Sequence, residues 1–221
     1  MLVTTATGRK MPTRLTTVAL VLVLCRVLPA WAADHSILVL TPTAEDARLA
    51  AVDQAIRFWN EMLMDVGLEL RLAEPEIVIQ SPVMRTLENY ARDLAMRATQ
   101  APARDAEPAP PDAVANLDAD IVLLLSRQNI LSFAWLMPRV SPRRYLVVIR
   151  QVMGSDRADD VVQRHVVAHE LGHALGLPHN NESLALMCGP CVPLPDKFEA
   201  DGFLPLTDGD RARLLELHGA P

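Results

Sequence analysis

His169-Glu170-Leu171-Gly172-His173-Ala174-Leu175-Gly176-Leu177-Pro178-His179 spells H-E-x-x-H-x-x-G-x-x-H. On a helix, His169 and His173 stand four residues apart, so both imidazoles leave the same face and can grip one metal ion. Glu170 sits beside them, placed to work on water at the metal without being a ligand. Gly176 can take a positive φ, which lets the chain leave the helix and swing back. His179 then arrives from a loop as a third ligand, and the fourth position of a tetrahedral zinc stays open for water or substrate, as in catalytic sites. A bare H-E-x-x-H occurs by chance in unrelated helices; the eleven-residue form with its glycine and third histidine is far more specific.

With Met187 eight residues beyond His179, these residues resemble the metzincin zinc endopeptidases, and within them the matrixins. His179-Asn180-Asn181-Glu182-Ser183-Leu184-Ala185-Leu186-Met187 is similar to the matrixin run from third histidine to Met-turn. The resemblance implies that Met187 forms the turn beneath the zinc and its three histidines. Ala51-Val52-Asp53-Gln54-Ala55-Ile56-Arg57-Phe58-Trp59-Asn60 is similar to the first matrixin helix, and Leu206 to Gly219 looks like the closing one. Three departures stand out. The residue after the third histidine is Asn180 where matrixins usually have serine. No second histidine-and-aspartate cluster of the kind that holds a structural zinc is found. No Pro-Arg-Cys-Gly-like stretch is found either, so a cysteine-switch propeptide is not expected. A pared-down, bacterial-type matrixin fits these features.

The first 32 residues read as a signal peptide and 33–221 as one matrixin-like domain. Arg9, Lys10 and Arg14 form a basic start, Val18 to Cys25 is an apolar core too short to span a bilayer, and Ala30-Trp31-Ala32 supplies a cleavage site. Met11 could equally be the true start. An uncleaved membrane anchor is the competing reading, but Arg26 interrupts the apolar run. Cleavage would remove four basic and no acidic residues, leaving 17 Lys and Arg against 27 Asp and Glu, a formal charge of −10. That balance argues against nucleic acid and anionic membranes as partners, and leaves a peptide or protein substrate with no stable membrane anchor. The expected location is secreted or periplasmic. There, Cys188 and Cys191 in Cys188-Gly189-Pro190-Cys191 are expected to form a local disulfide rather than a second metal site or a redox pair.

Along the chain, Ser36 to Leu40 reads as a buried strand. Thr43 could cap a helix running through Leu63, and Leu68 to Leu72 alternates like a second strand. Ser81-Pro82 opens a helical stretch to about Ala98, and Ala101 to Pro111 is a Pro- and Ala-rich loop. Ile121–Leu125 and Tyr145–Ile149 read as interior strands, Ser132 to Leu136 as a shorter edge strand, and the metal-bearing helix starts near Asp159 or Asp160. The expected fold is α+β and metzincin-like. It has a mixed, mostly parallel twisted sheet backed by two long helices, with a C-terminal helical subdomain below the cleft.

The function these features predict is a zinc-dependent endopeptidase, with zinc held by His169, His173 and His179 and Glu170 as general base. Phe133 to Leu136 would pair with extended substrate, or else pack inward as an ordinary apolar strand. His165, one turn before His169, shares the metal-bearing face. The resemblance implies that it lines the pocket for the residue after the cut bond; the alternative is a packed or surface histidine. Two other functions compete: an exported zinc-binding adaptor or inhibitor-like protein without turnover, and a metal hydrolase acting on a non-peptide amide. Retention of Glu170 argues against the first, since metal binding alone has no need of that carboxylate.

Overall fold

The longest apolar runs of this chain become strands because both of their faces are covered. The computed structural model describes residues 34–98, 108–151, 157–192 and 202–219. The targeting segment expected at 1–32 lies outside them, as does 101–107 of the Pro- and Ala-rich stretch. The elements follow in the order β1 (Ile37–Thr41), α1 (Arg48–Asp65), β2 (Glu76–Ile79), α2 (Met84–Ala98), α3 (Asp112–Ala115), β3 (Ile121–Leu125), β4 (Phe133–Leu136), β5 (Tyr145–Ile149), α4 (Arg157–Ala174) and α5 (Asp208–His218). The strands form one sheet in the order β2-β1-β3-β5-β4. All neighbours run parallel except β4, which pairs antiparallel with β5 and closes one edge.

Alternation along the strands divides the core in two. Ile37, Val39, Ile121, Leu123, Leu125, Val147 and Ile149 face α1 and α4. Leu38, Leu40, Val122, Leu124, Leu146 and Val148 face α2 and the turn at Val114. A parallel strand buried on both sides is apolar throughout, which is why β1, β3 and β5 lack the alternation of a half-exposed strand. The α+β fold and its mostly parallel sheet with two long helices on one face are therefore observed. The structure adds α2, which covers the opposite face through Leu87, Tyr90, Ala91 and Leu94.

Helices α1 and α4 pack against each other through small residues and one large one. Trp59 of α1 is fully buried and donates its indole N–H to Ala168 O of α4 at 2.8 Å. After α4 the described residues form turns and α5. Helix α5 opens with a capping box: Thr207 Oγ1 accepts from Asp210 N, and the Asp210 carboxylate accepts from Thr207 N. Among the described residues, no helix is long and apolar enough to cross a membrane.

Two local expectations fail for identifiable reasons. Leu68 to Leu72 is not a strand beyond a single bridge between His35 and Leu72. Its backbone partners are largely side chains: Asn60 bonds both the N–H and the carbonyl of Leu72, and Arg71 donates to Leu68 O and Leu70 O. The second strand is instead β2. Helix α1 likewise starts at Arg48 rather than from Thr43, because Asp46 turns back on Arg48, accepting from its N–H and its guanidinium. The metal-bearing helix begins at Arg157, slightly earlier than expected.

That buried guanidinium is a structural clamp. Arg48 also donates to Ser126 O at 2.7 Å and Ile149 O at 2.8 Å, tying α1 to the carboxyl ends of β3 and β5. Burial alone would raise the Asp46 pKa, but the hydrogen bonds and charge of Arg48 outweigh it and hold the carboxyl below its usual range. Arg48→Met should therefore lower stability by on the order of 3 kcal/mol, since it takes the counter-charge from Asp46 and leaves Ser126 O without its partner. The exposed pair between Arg57 and Asp53 provides the contrast, and Arg57→Ala should cost less than about 1 kcal/mol. Urea unfolding of both variants measures the difference.

Candidate metal centre

Helix α4 can present two imidazoles to one point because its opposite side is packed. Val167, Ala168 and Leu171 lie in the core shared with α1 and the sheet. The helix ends at a Schellman motif: Gly176 takes φ 91°, its N–H donates to His173 O at 3.0 Å, and Leu177 N–H donates to Gly172 O at 3.0 Å. Only glycine adopts that φ without strain, so the reversal that returns His179 to the helix is written into Gly176.

His169 Nε2 and His173 Nε2 each lie 3.1 Å from His179 Nε2, and the three nitrogens fall within 4.8 Å of one another. The other nitrogen of each helical histidine is anchored. His169 Nδ1 donates to Leu186 O and His173 Nδ1 to Leu177 O, both at 2.7 Å. An Nδ1 that faces a carbonyl must carry the proton, so both Nε2 atoms present lone pairs toward the shared point. A proton on His179 could serve one of these contacts, whereas a cation coordinated by all three nitrogens satisfies every lone pair. Three converging imidazole nitrogens, two of them with anchored partners, suit zinc, and no fourth protein ligand joins them among the described residues. Burial is the main cause of a lowered pKa at both helical histidines, with neighbouring imidazoles adding to it, and His173 falls to about 4. Both are therefore neutral, and able to ligate, at physiological pH.

Glu170 stands next to His169 and is buried. Burial pushes its carboxyl up to about 7, and the Ala134 backbone N–H of β4 pulls against that shift. A dication held by the adjacent imidazoles would favour the ionised form. Glu170 thus sits between the three-histidine cluster and the edge strand.

Met187 is fully buried. A β-carbon at Gly172 would collide with Met187 Sδ and stand 2.9 Å from Trp59 Cζ2, so the helix, the turn and α1 meet where Gly172 leaves room. Cys188 and Cys191 are joined by a disulfide. Between them, Gly189 lies directly against the third histidine: a β-carbon there would be 2.6 Å from His179 Cγ. His165 stands one turn before His169 and is buried. Its Nδ1 donates to Val161 O at 2.7 Å, its Nε2 accepts from Leu204 N at 3.1 Å, and its ring centroid lies 5.3 Å from that of Phe203. Sequence reasoning passed over Trp59 and Gly189 as parts of this centre. Their signal was present, an aromatic at the end of α1 and a glycine between two cysteines, but not their proximity to α4 and His179.

The matrixin family model matches residues 36–219. Archaemetzincin from Methanopyrus kandleri is 15% identical over 86% of this chain and 97% of its own, with a TM-score of 0.47. Metalloproteinase-II from Bacteroides fragilis is also 15% identical, over 86% of this chain and 54% of its own, with a TM-score of 0.47. A search of curated proteins gave no match.

The packing of Gly189 on His179 makes a direct prediction. Gly189→Ala should push the third imidazole off the shared point and weaken zinc binding by roughly tenfold or more, while the fold persists. Zinc competition with a chromophoric chelator, alongside circular dichroism, measures both; unchanged affinity would show that the ring does not depend on this contact.

Proposed function

Since the chain belongs to the matrixin family, we propose that it is an exported zinc-dependent endopeptidase that cuts peptide bonds in a peptide or protein substrate. The observation that carries this reading is the convergence of three Nε2 atoms, two with anchored Nδ1 partners, beside a buried glutamate. His169, His173 and His179 would hold the ion. When bound, zinc supplies Lewis acidity toward a peptide carbonyl and toward water.

The remaining chemistry belongs to the chain. Glu170 accepts the proton of the attacking water on its carboxylate and delivers it to the nitrogen of the departing amine. A carboxyl whose pKa burial raises toward neutrality is suited to both halves of that transfer. Among the described residues strand β4 has only β5 as neighbour, so an extended peptide can add to its other side. Ala134, in that strand, is also the residue whose N–H opposes Glu170, which relates the line of the substrate to the base. His165 and the Phe203–Leu204 segment form the side of α4 where the residue after the cut bond would lodge. Export, with a secreted or periplasmic location, rests on the basic start, apolar core and Ala30-Trp31-Ala32 of the first 32 residues.

The deciding experiment incubates the purified protein with a peptide library, with and without a chelator, and repeats it with Glu170→Ala. The expected result is internal cleavage that chelator abolishes. Glu170→Ala should keep its zinc but lose activity by about a hundredfold to ten-thousandfold. Cleavage at the wild-type rate by that variant would remove Glu170 from the mechanism, and no chelator-sensitive cleavage would remove the peptidase reading.

His165→Ala tests the pocket. It deletes a ring that fills space between α4 and Leu204, so library profiling should show a shift toward larger apolar residues after the cut bond, with zinc content unchanged. It should also cost about 1–3 kcal/mol of stability, because Leu204 N–H and Val161 O lose their shared partner. An unaltered profile would leave His165 as a packing residue.

A further inference from the structure

His169 and His173 are aimed by hydrogen bonds at Nδ1; His179 is not. Among the described residues its only hydrogen-bond-distance contacts are those of Nε2 with the other two imidazoles. Its ring orientation must therefore come from the backbone on either side of it and from the surface it lies on. That surface is Gly189, and the backbone on the far side is Asn180.

Every hydrogen-bonding group of Asn180 is used. Its N–H donates to Met187 O at 2.7 Å, and its carbonyl accepts from Gly189 N at 2.8 Å. Its side-chain oxygen accepts from Glu182 N at 3.0 Å, and Nδ2 donates to Asp210 Oδ2 at 2.9 Å. The first two bonds hold the Met-turn and the disulfide loop against the third ligand. The fourth reaches thirty residues on, to a buried carboxylate at the start of α5. Asp210 Oδ2 accepts from Thr207 N as well, so one oxygen both caps α5 and holds the residue that follows His179.

We propose that Asn180 is a positioning residue for the metal centre, and that its bond to Asp210 makes α5 the anchor of the third ligand. The inference rests on the reading of His169, His173 and His179 as metal ligands. It explains the departure from serine at this position: Asn180 has both the reach to donate to Asp210 and a second atom to accept from Glu182 N, whereas one hydroxyl is shorter and has a single oxygen for both tasks. An oxygen already accepting from a backbone N–H at a helix start remains a strong acceptor because it is charged, so the amide it holds is well localised.

The test exchanges the two groups. Asn180→Asp alone sets two carboxylates against each other at hydrogen-bonding distance. Adding Asp210→Asn restores a bond of reversed polarity: the amide nitrogen takes the place of Oδ2 and donates to the carboxylate at 180, while Thr207 N–H loses its acceptor. Three quantities are read: the rate of zinc transfer to a chromophoric chelator, the visible spectrum of the cobalt-substituted protein, and the melting temperature of the zinc-free protein. Asn180→Asp is expected to lose zinc about ten- to a hundredfold faster, with an altered cobalt spectrum. The double variant is expected to return to within about threefold of wild type in zinc release and to the wild-type spectrum, while its zinc-free form melts below wild type because Thr207 N–H has lost its cap. If Asn180→Asp does not fold, Asn180→Ala takes its place; it leaves the α5 cap intact and should show the same faster release. Wild-type release and spectrum in the single variant would overturn the proposal. So would a double variant that stays as leaky as the single. A wild-type protein that binds no zinc would overturn the metal reading itself, and this inference with it.

Discussion

Two imidazoles four residues apart share a target only while the helix that carries them cannot turn. In this chain the restraint is the packing of α4 on α1, centred on the Trp59 indole N–H bonded to Ala168 O and on the gap left by Gly172. Rotating α4 would break a buried hydrogen bond and drive helix atoms into Trp59 and Met187, in a core with no slack to absorb them. With the helix fixed, the carbonyls of Leu186 and Leu177 can each take one Nδ1 proton, and both Nε2 lone pairs fall on one point. The sheet, its two long helices and the turn at Met187 pack around that helix.

Electrostatics follow from the same burial. The packing that immobilises α4 removes water from His169, Glu170 and His173, which keeps the imidazoles neutral and makes the carboxylate reluctant to ionise. Neither effect needs a dedicated charged partner. Both are properties of a helix sunk into a core, and a dication at the shared point would reverse the one at Glu170 while exploiting the one at the histidines.

Much of this arrangement was legible in the sequence, and the limit lies where side chains take over from the backbone. The bounds of β3 and β5 could be read directly because a doubly covered strand has no polar positions to confuse the pattern. The three-histidine cluster could be read because its members fall within eleven residues, and Gly176 marks the turn between them. The segment Leu68 to Leu72 was misread as a strand because its apolar alternation is real; what the pattern could not reveal is that Asn60 supplies the hydrogen bonds a neighbouring strand would have given. Helix α1 starts late because Asp46 and Arg48 form a buried knot that neither residue announces. Asn180 stood out as a departure, yet its partner Asp210 is thirty residues away in sequence, and nothing in the pattern links the two.

Trp59 sits fully buried against the helix that carries His169 and His173, its ring against the backbone of Gly172 and within reach of the Met187 sulfur. An indole in such a dry, rigid setting emits at short wavelength, and its intensity depends on the distance of the polarisable sulfur beside it. The chain therefore carries its own optical gauge of the site. A shift of α4 against the Met-turn, whether from loss of an ion or from arrival of a substrate, alters the surroundings of this one ring without any label having to be attached.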